Sequence, residues 1–378
     1  MGRIHSVMDD GRRYYEKLLG RDEGVLVVPA TARYGRAGLR VDGSDVDLRG
    51  IPTLIASGSR AAIVRLPGID QTPVLTSDEL LRLQTLPRSL AIVGGGPIAI
   101  EFAQALCRLG VEVTIVMRAD APLRGEEPEA RETIARVMVH DGVRLVTSAR
   151  TIALEPAAAG ARVRWDGGSV EADHVLLATG REPAVAALDP EAHGIELDDG
   201  GIAVDDQMRA TAERTWAIGD AIGGSHRRYQ FTHAATYDGP KAAENALAGA
   251  ANRPSYAAMP RVTFTDPEVA AVGMTEAEAR SAGIDVLAHV KLVRQLGKAR
   301  AIGESEGFVK VILDRATGKL VGATVVAGHA GDMLAEVTIP LHVNGGELDA
   351  VLATTFAHPT VSEAIKVAVR DAVGELRA

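Results

Sequence analysis

Short apolar runs alternate along this chain with stretches whose apolar positions recur every three or four residues, a pattern that predicts strands joined by helices. The clearest case begins at Leu90–Val93, an apolar run that ends in glycines. Ile98, Phe102, Leu106 and Leu109 then share one helical stripe, Gly110 stops it, and a second apolar run covers Val111–Met117. Upstream, the pattern predicts a charged helix over Val7–Leu19, strands at Gly24–Pro29, Gly38–Val41, Val46–Leu48 and Ile51–Arg60, and a short helix over Ser77–Leu83. Downstream come a helix near Glu127–His140 and strands near Val143–Leu145, Ile152–Leu154, Ala161–Arg164, Val175–Arg181, Ile195, Ile202 and Arg214–Asp220. A long alanine-rich helix over Thr232–Leu247 precedes a break at Ala248–Pro254. From Met259 the pattern turns antiparallel: strands at Arg261–Phe264 and Val269–Gly273, a helix over Thr275–Ala282, and strands Gly307–Leu313 and Leu320–Val326 joined by a turn at Thr317 and Gly318. Helices near Ala330–His342 and Val361–Leu376 close the chain.

This order implies an α/β protein with a doubly wound, Rossmann-like parallel unit and a C-terminal α+β domain. With 378 residues, 46% hydrophobic and only 3% aromatic, the chain can fill two or three domains whose cores rest on Ala, Val, Leu and Ile. No apolar stretch is long enough to span a membrane, and no signal peptide follows Met1, so a cytoplasmic protein without membrane attachment is expected. A net charge of -9 argues against nucleic acid as a partner. Cys107 is the only cysteine, so no intrachain disulfide can form, and inside its helix it reads as a small buried apolar residue.

Gly94, Gly96 and Ala99 form G-x-G-x-x-A at the sharp turn from strand to helix, where bare backbone can approach a pyrophosphate and a helix N-terminus faces it. An NAD site carries an acid at the end of the following strand, for the ribose 2′-hydroxyl. Here Met117 is followed by Arg118 and, farther on, by Arg124. Two planar guanidinium forks suit a 2′-phosphate, so NADPH is expected in preference to NADH. Gly58 in TLIASGSR and Gly180 in VLLATGR end apolar strands on small residues, as a close backbone approach to a ligand or a domain crossing requires. His358 and Glu363 sit in HPTVSE, where Thr360-x-x-Glu363 is also a helix capping box.

Taken in order, TLIASGSR, IVGGGPIAIEFA, VLLATGREP, WAIGD, MPRVTFTDPEVAAVGMTEAEA and FAHPTVSEA resemble the flavoprotein pyridine nucleotide-disulfide oxidoreductases, which include dihydrolipoamide dehydrogenase, glutathione reductase and mercuric reductase. The resemblance runs from about residue 10 to the C-terminus. It implies a nucleotide domain over 77–183 inserted between FAD-domain segments 1–76 and 184–253, and a dimerisation domain over 254–378. It further implies an oxidoreductase that passes hydride from NADPH to FAD and works as a homodimer on a small-molecule electron acceptor. In that pattern Gly219 and Asp220 hold the FAD ribityl chain, and Thr232, His233 and Ala234 start the helix that faces the flavin. Glu101 is the acid beside flavin and nicotinamide, Gly180 borders the nicotinamide nucleotide, and Arg118 and Arg124 match the arginines of the NADPH-preferring branch. His358 and Glu363 match the dyad that serves the redox disulfide of the other subunit.

The same family opens with its own G-x-G-x-x-G for FAD, a C-x4-C pair, and a lysine that partners the acid matched by Glu101. These 378 residues contain none of them, so the disulfide step is not expected of them, and an unpaired sheet edge is expected around Thr53–Ala56. Three readings stay open: the C-terminal part of a full oxidoreductase, a non-catalytic NADPH-binding dimer that senses or sequesters nucleotide, and a diaphorase that holds FAD weakly.

Overall fold

The computed structural model describes every residue except 21–23, 36–37, 42–43, 48–49 and 159, so the expected strand end at Leu48 lies outside the described residues. The chain forms two compact units. Among the described residues no helix is long and apolar enough to cross a membrane.

The first unit comprises Met1–Val64, Leu75–Leu86 and Thr179–Pro254. Strand Thr53–Ile55 pairs in parallel with Thr215–Ala217, and Ser59–Ala61 pairs antiparallel with Arg181–Pro183. Ile55, Ile202, Ala217 and Ile222 pack together with Tyr34 from a small antiparallel sheet. Among the described residues Thr53–Ile55 has a sheet neighbour on one side only, which leaves the other edge unpaired. Gly24–Pro29 is not a strand: Val25, Leu26, Val27 and Val28 are exposed and have no sheet partner among the described residues. An apolar run becomes a strand only where an edge takes up its N–H and C=O groups. The first helix covers Gly2–Leu19 and buries none of its residues.

The second unit comprises Arg65–Val74, Pro87–Ala178 and Ser255–Ala378. Its parallel sheet runs His174–Leu177, Ser89–Val93, Glu112–Val116, Arg144–Val146 across the sheet, in that order. The helix after the glycine turn, Pro97–Arg108, buries Ala99, Ile100, Ala103 and Leu106. Of the expected stripe, Leu106 is buried, Ile98 and Phe102 are half-buried, and Leu109 is exposed at the helix end. Small side chains at Ala99 and Ala103 let the helix lie close to the strands, which outweighs the larger residues' claim to that face.

The remainder of the second unit is an antiparallel sheet in the order Arg261–Thr263, Glu268–Gly273, Leu320–Ala327, Phe308–Asp314, Val286–Leu292. Helix Glu363–Arg377 packs on its last two strands through Ala364, Ile365, Ala368, Val369 and Ala372. The helix expected over Ala330–His342 is two, Ala330–Met333 and Ala335–Val343, the second with Pro340 inside it.

Candidate active site

In the second unit the glycine turn is shaped by its neighbours. Gly94 has φ 132°, and a Cβ there would lie 2.2 Å from the Ala178 carbonyl oxygen, so only glycine fits between the two strands. A Cβ on Gly96 would meet nothing within 4 Å, which leaves that face of the turn open. Gly96 is also the N-cap of Pro97–Arg108, no side chain caps that helix, and Ala99 is wholly buried beneath it. Uncapped N–H groups at the positive end of a helix, reached past a bare Cα, suit an anionic phosphate.

Arg118 and Arg124 lie on the loop that follows Glu112–Val116. Both are exposed, and among the described residues neither guanidinium has an ion-pair partner. The one acid between them, Asp120, is neutralised by Arg131 at 2.5 Å, and that hydrogen bond holds its carboxyl below the usual range. The loop therefore offers two unpaired cations and a compensated anion, the balance a phosphate needs.

Glu101 lies on the first turns of the same helix, half-buried, and Oε1 accepts the N–H of Phe264 at 2.8 Å. Burial pushes its carboxyl up, against the pull of that hydrogen bond. His358 and Glu363 are together: Nδ1 lies 3.0 Å from Oε1, and the other carboxylate oxygen accepts the N–H of Thr360 at 3.0 Å. The histidine side chain is 81% exposed, so its other ring nitrogen stands open to solvent.

In the first unit, the Ser59 hydroxyl donates to Asp220 Oδ2 at 2.6 Å, and Arg181 donates from Nε to the Ser59 hydroxyl at 2.8 Å. Gly58 is beside them and accepts the N–H of Ala184 at 2.8 Å, while Gly180 accepts that of Ala62 at 3.0 Å. Gly219, at φ 58°, donates its N–H to Oδ2 of the wholly buried Asp238 at 3.1 Å. A Cβ on Gly219 would lie 2.6 Å from that of Ala235, so the turn before Asp220 is pressed against helix Thr232–Ala248. No side chain caps that helix at Thr232; Ala234 is wholly buried and His233 stacks on Phe231 at 5.1 Å between ring centres.

The structure thus gathers Gly94, Gly96, Ala99 and Glu101 on one turn and helix, Gly58 with Asp220, and His358 with Glu363. Ser59, Arg181 and Asp238 are residues that sequence reasoning missed. The first two stand inside recognised fragments, ASGSR and ATGR, where their polarity at the end of an apolar strand is a usable signal. Asp238, inside a helix, gives none.

Residues 11–239 match the family model for pyridine nucleotide-disulphide oxidoreductases, and residues 259–369 match the dimerisation domain of that family. A mercuric reductase of Streptomyces lividans is 34% identical over 334 residues, 87% of this chain and 69% of that protein. A dihydrolipoyl dehydrogenase of Geobacillus stearothermophilus is 34% identical over 85% of this chain and 68% of its own. The Bacillus cereus mercuric reductase is 33% identical, and this chain spans 50% of its length. The HOCl-induced flavoprotein disulfide reductase RclA from Escherichia coli superposes with a TM-score of 0.86 at 28% identity, over 97% of this chain and 83% of that one. The chain belongs to the pyridine nucleotide-disulphide oxidoreductase family.

Proposed function

We propose that this chain is an NADPH- and FAD-dependent oxidoreductase that works as a dimer on a small-molecule electron acceptor. The observation that carries the reading is the open Gly96 face of the glycine turn together with two unpaired arginines, Arg118 and Arg124, on the adjoining loop. The turn and helix start would hold the pyrophosphate, and the guanidinium groups the 2′-phosphate. In the first unit Asp220, with Ser59 and Arg181 behind it, would hold the flavin side chain, and the uncapped start at Thr232–Ala234 would favour an electron-rich ring. Bound flavin would accept hydride from reduced nucleotide. We assign 77–183 to the nucleotide, 1–76 and 184–253 to the flavin, and 254–378 to the dimer.

Cys107 is the single cysteine of these residues, so they hold no disulfide for a reduced flavin to reduce. That favours, as a second reading, a dimer that binds NADPH without turning it over. Absorbance near about 450 nm in the purified protein supports flavin chemistry, and a colourless protein that binds NADPH supports the second reading. Titration with both reduced nucleotides tests the rest: R118E/R124E is expected to weaken NADPH more than NADH. Equal losses for the two would overturn the phosphate assignment, and no binding by folded protein would overturn the nucleotide reading.

A further inference from the structure

Arg118 and Arg124 are carried by an exposed loop, and ordering a loop around a ligand costs conformational entropy. This loop is already tied down on both sides of Arg124. On one side Leu123 is buried, and its N–H donates to the Gly95 carbonyl at 2.8 Å, which pins the loop to the glycine turn itself. On the other side, Glu126 and Glu127 reach the antiparallel-sheet domain of the same unit. Glu126 Oε1 accepts from Arg261 Nε at 2.8 Å, and Glu127 Oε2 accepts from Lys310 Nζ at 2.8 Å.

Lys310 is the one charged residue between apolar neighbours in FVKVIL, in the middle of strand Phe308–Asp314, and it is 2% exposed. Its ammonium also meets Glu129 Oε1 at 2.9 Å and Glu276 Oε2 at 2.8 Å. Glu127, itself buried, takes the N–H of Glu276 on its second oxygen at 2.6 Å. Burial alone would disfavour the lysine's charge; hydrogen bonds to Glu127, Glu276 and Glu129 outweigh it and hold the ammonium well above the usual range. An apolar side chain at position 310 would give stability more cheaply than a buried ion cluster, so what the cluster adds is a fixed geometry. What it fixes is the loop end, directly after Arg124 and Gly125.

We infer that Arg261 and Lys310 are positioning residues for nucleotide selection: through Glu126 and Glu127, the C-terminal sheet domain holds the Arg118–Arg124 loop in the register that meets a 2′-phosphate. The inference rests on the NADPH reading above. It assigns the discrimination between phosphorylated and plain nucleotide partly to a domain that carries neither the glycine turn nor the two arginines. Loosening either clip weakens the phosphate-dependent part of binding and spares the part owed to the glycine turn.

The test is calorimetric titration of the full chain with NADPH, NADH, 2′,5′-ADP and 5′-ADP. The proteins are wild type, R118Q/R124Q, R261Q, and K310M/E127Q, the last of which removes both buried charges together. The NADPH-to-NADH affinity ratio is expected to fall about threefold in R261Q and about tenfold in K310M/E127Q, with the NADH and 5′-ADP constants changed less than about twofold. Equal weakening of all four ligands would mean a merely structural role and overturns the inference. So does a wild-type ratio in both clip variants when R118Q/R124Q has lost it, and then the NADPH reading stands. A wild type without preference for the 2′-phosphate overturns that reading and the inference with it. Should K310M/E127Q fail to fold, R261Q, which alters a partly exposed pair, decides alone.

Discussion

The N–H of Phe264 donates to Glu101 Oε1 at 2.8 Å, and this bond opens a ladder along one face of the glycine-turn helix. One turn on, Gln104 accepts the N–H of Asp266 and donates to its carbonyl, both at 2.8 Å, and a turn later Arg108 reaches the Asp266 carboxylate at 2.6 Å. Positions 101, 104 and 108 recur at helical spacing, so one helix face is stitched to the segment at 264–266.

A pH dependence follows for Glu101. Burial raises its carboxyl above the ordinary 4.5, only partly opposed by the Phe264 N–H. A carboxyl whose folded value is raised binds its proton more tightly in the folded protein than in the unfolded chain. Its contribution is therefore fully present below the ordinary value and is lost as pH rises through the raised one. Glu101→Gln keeps an acceptor for Phe264 and removes the charge. Thermal melts between about pH 4 and about pH 7 are expected to show the Tm of E101Q rising relative to wild type with pH. A difference that is flat with pH would show that burial does not penalise this carboxylate.

Gly94 and Gly96 separate the needs of the fold from those of a ligand. A methyl at Gly94 meets the Ala178 carbonyl at 2.2 Å on a backbone with φ 132°, so strands must part. Gly94→Ala is expected to destabilise by about 2–4 kcal/mol in denaturant melts. At Gly96 a methyl meets nothing within 4 Å and φ is -80°, so Gly96→Ala should cost less than about 1 kcal/mol, the loss of an N-cap glycine, while nucleotide affinity falls about tenfold or more. Undiminished binding by folded G96A would mean that the open face is not where the pyrophosphate approaches.

The strand, turn, helix and second strand around Gly94 were legible because each is encoded locally: an apolar run, three small residues at fixed spacing, a helical stripe and a glycine stop. Which face of Pro97–Arg108 is buried was not, since Ile98 and Phe102 are more hydrophobic than Ala99 and Ala103, and only the distance to the sheet decides between them. The run Val25–Val28 misled for a related reason, because a strand needs an edge that lies elsewhere in the chain. Residues acting across long sequence separations were hardest to see. Lys310 could have been flagged as a charge in an apolar strand, but its partners Glu127, Glu129 and Glu276 share no pattern with it. The same holds for Ser59 and Asp220, which are 161 residues apart.

Asp238 offers a test of how the turn before Asp220 is held. Its carboxylate is wholly buried, accepts the Gly219 N–H at 3.1 Å and lies 3.3 Å from His226 Nε2. Asp238→Leu leaves the buried Gly219 N–H without an acceptor and is expected to cost about 3 kcal/mol by denaturant melts, whereas Asp238→Asn, which keeps one, should cost about half as much. Equal costs for the two would point to packing rather than the hydrogen bond.

His358 and Glu363 leave two roles to be told apart. One carboxylate oxygen meets the ring at 3.0 Å and the other takes the Thr360 N–H at 3.0 Å, directly at the start of helix Glu363–Arg377. The hydrogen bond to His358, and after it that to the Thr360 N–H, hold the Glu363 carboxyl below the ordinary 4.5. With a depressed folded value the sign reverses: the stabilisation is present above the ordinary value and is lost as pH falls through the lowered one. Glu363→Ala is therefore expected to lower the Tm at neutral pH and to lose that effect in acid. A cycle with His358→Ala separates the roles, because the Thr360 bond survives loss of the ring. If the carboxylate both orients the imidazole and holds the Thr360 turn before the helix, E363A will lower the Tm in the H358A background too, but by less than in wild type. An effect confined to the protein that retains His358 would assign Glu363 to the ring alone, and an effect of equal size in both backgrounds would assign it to the Thr360 turn alone.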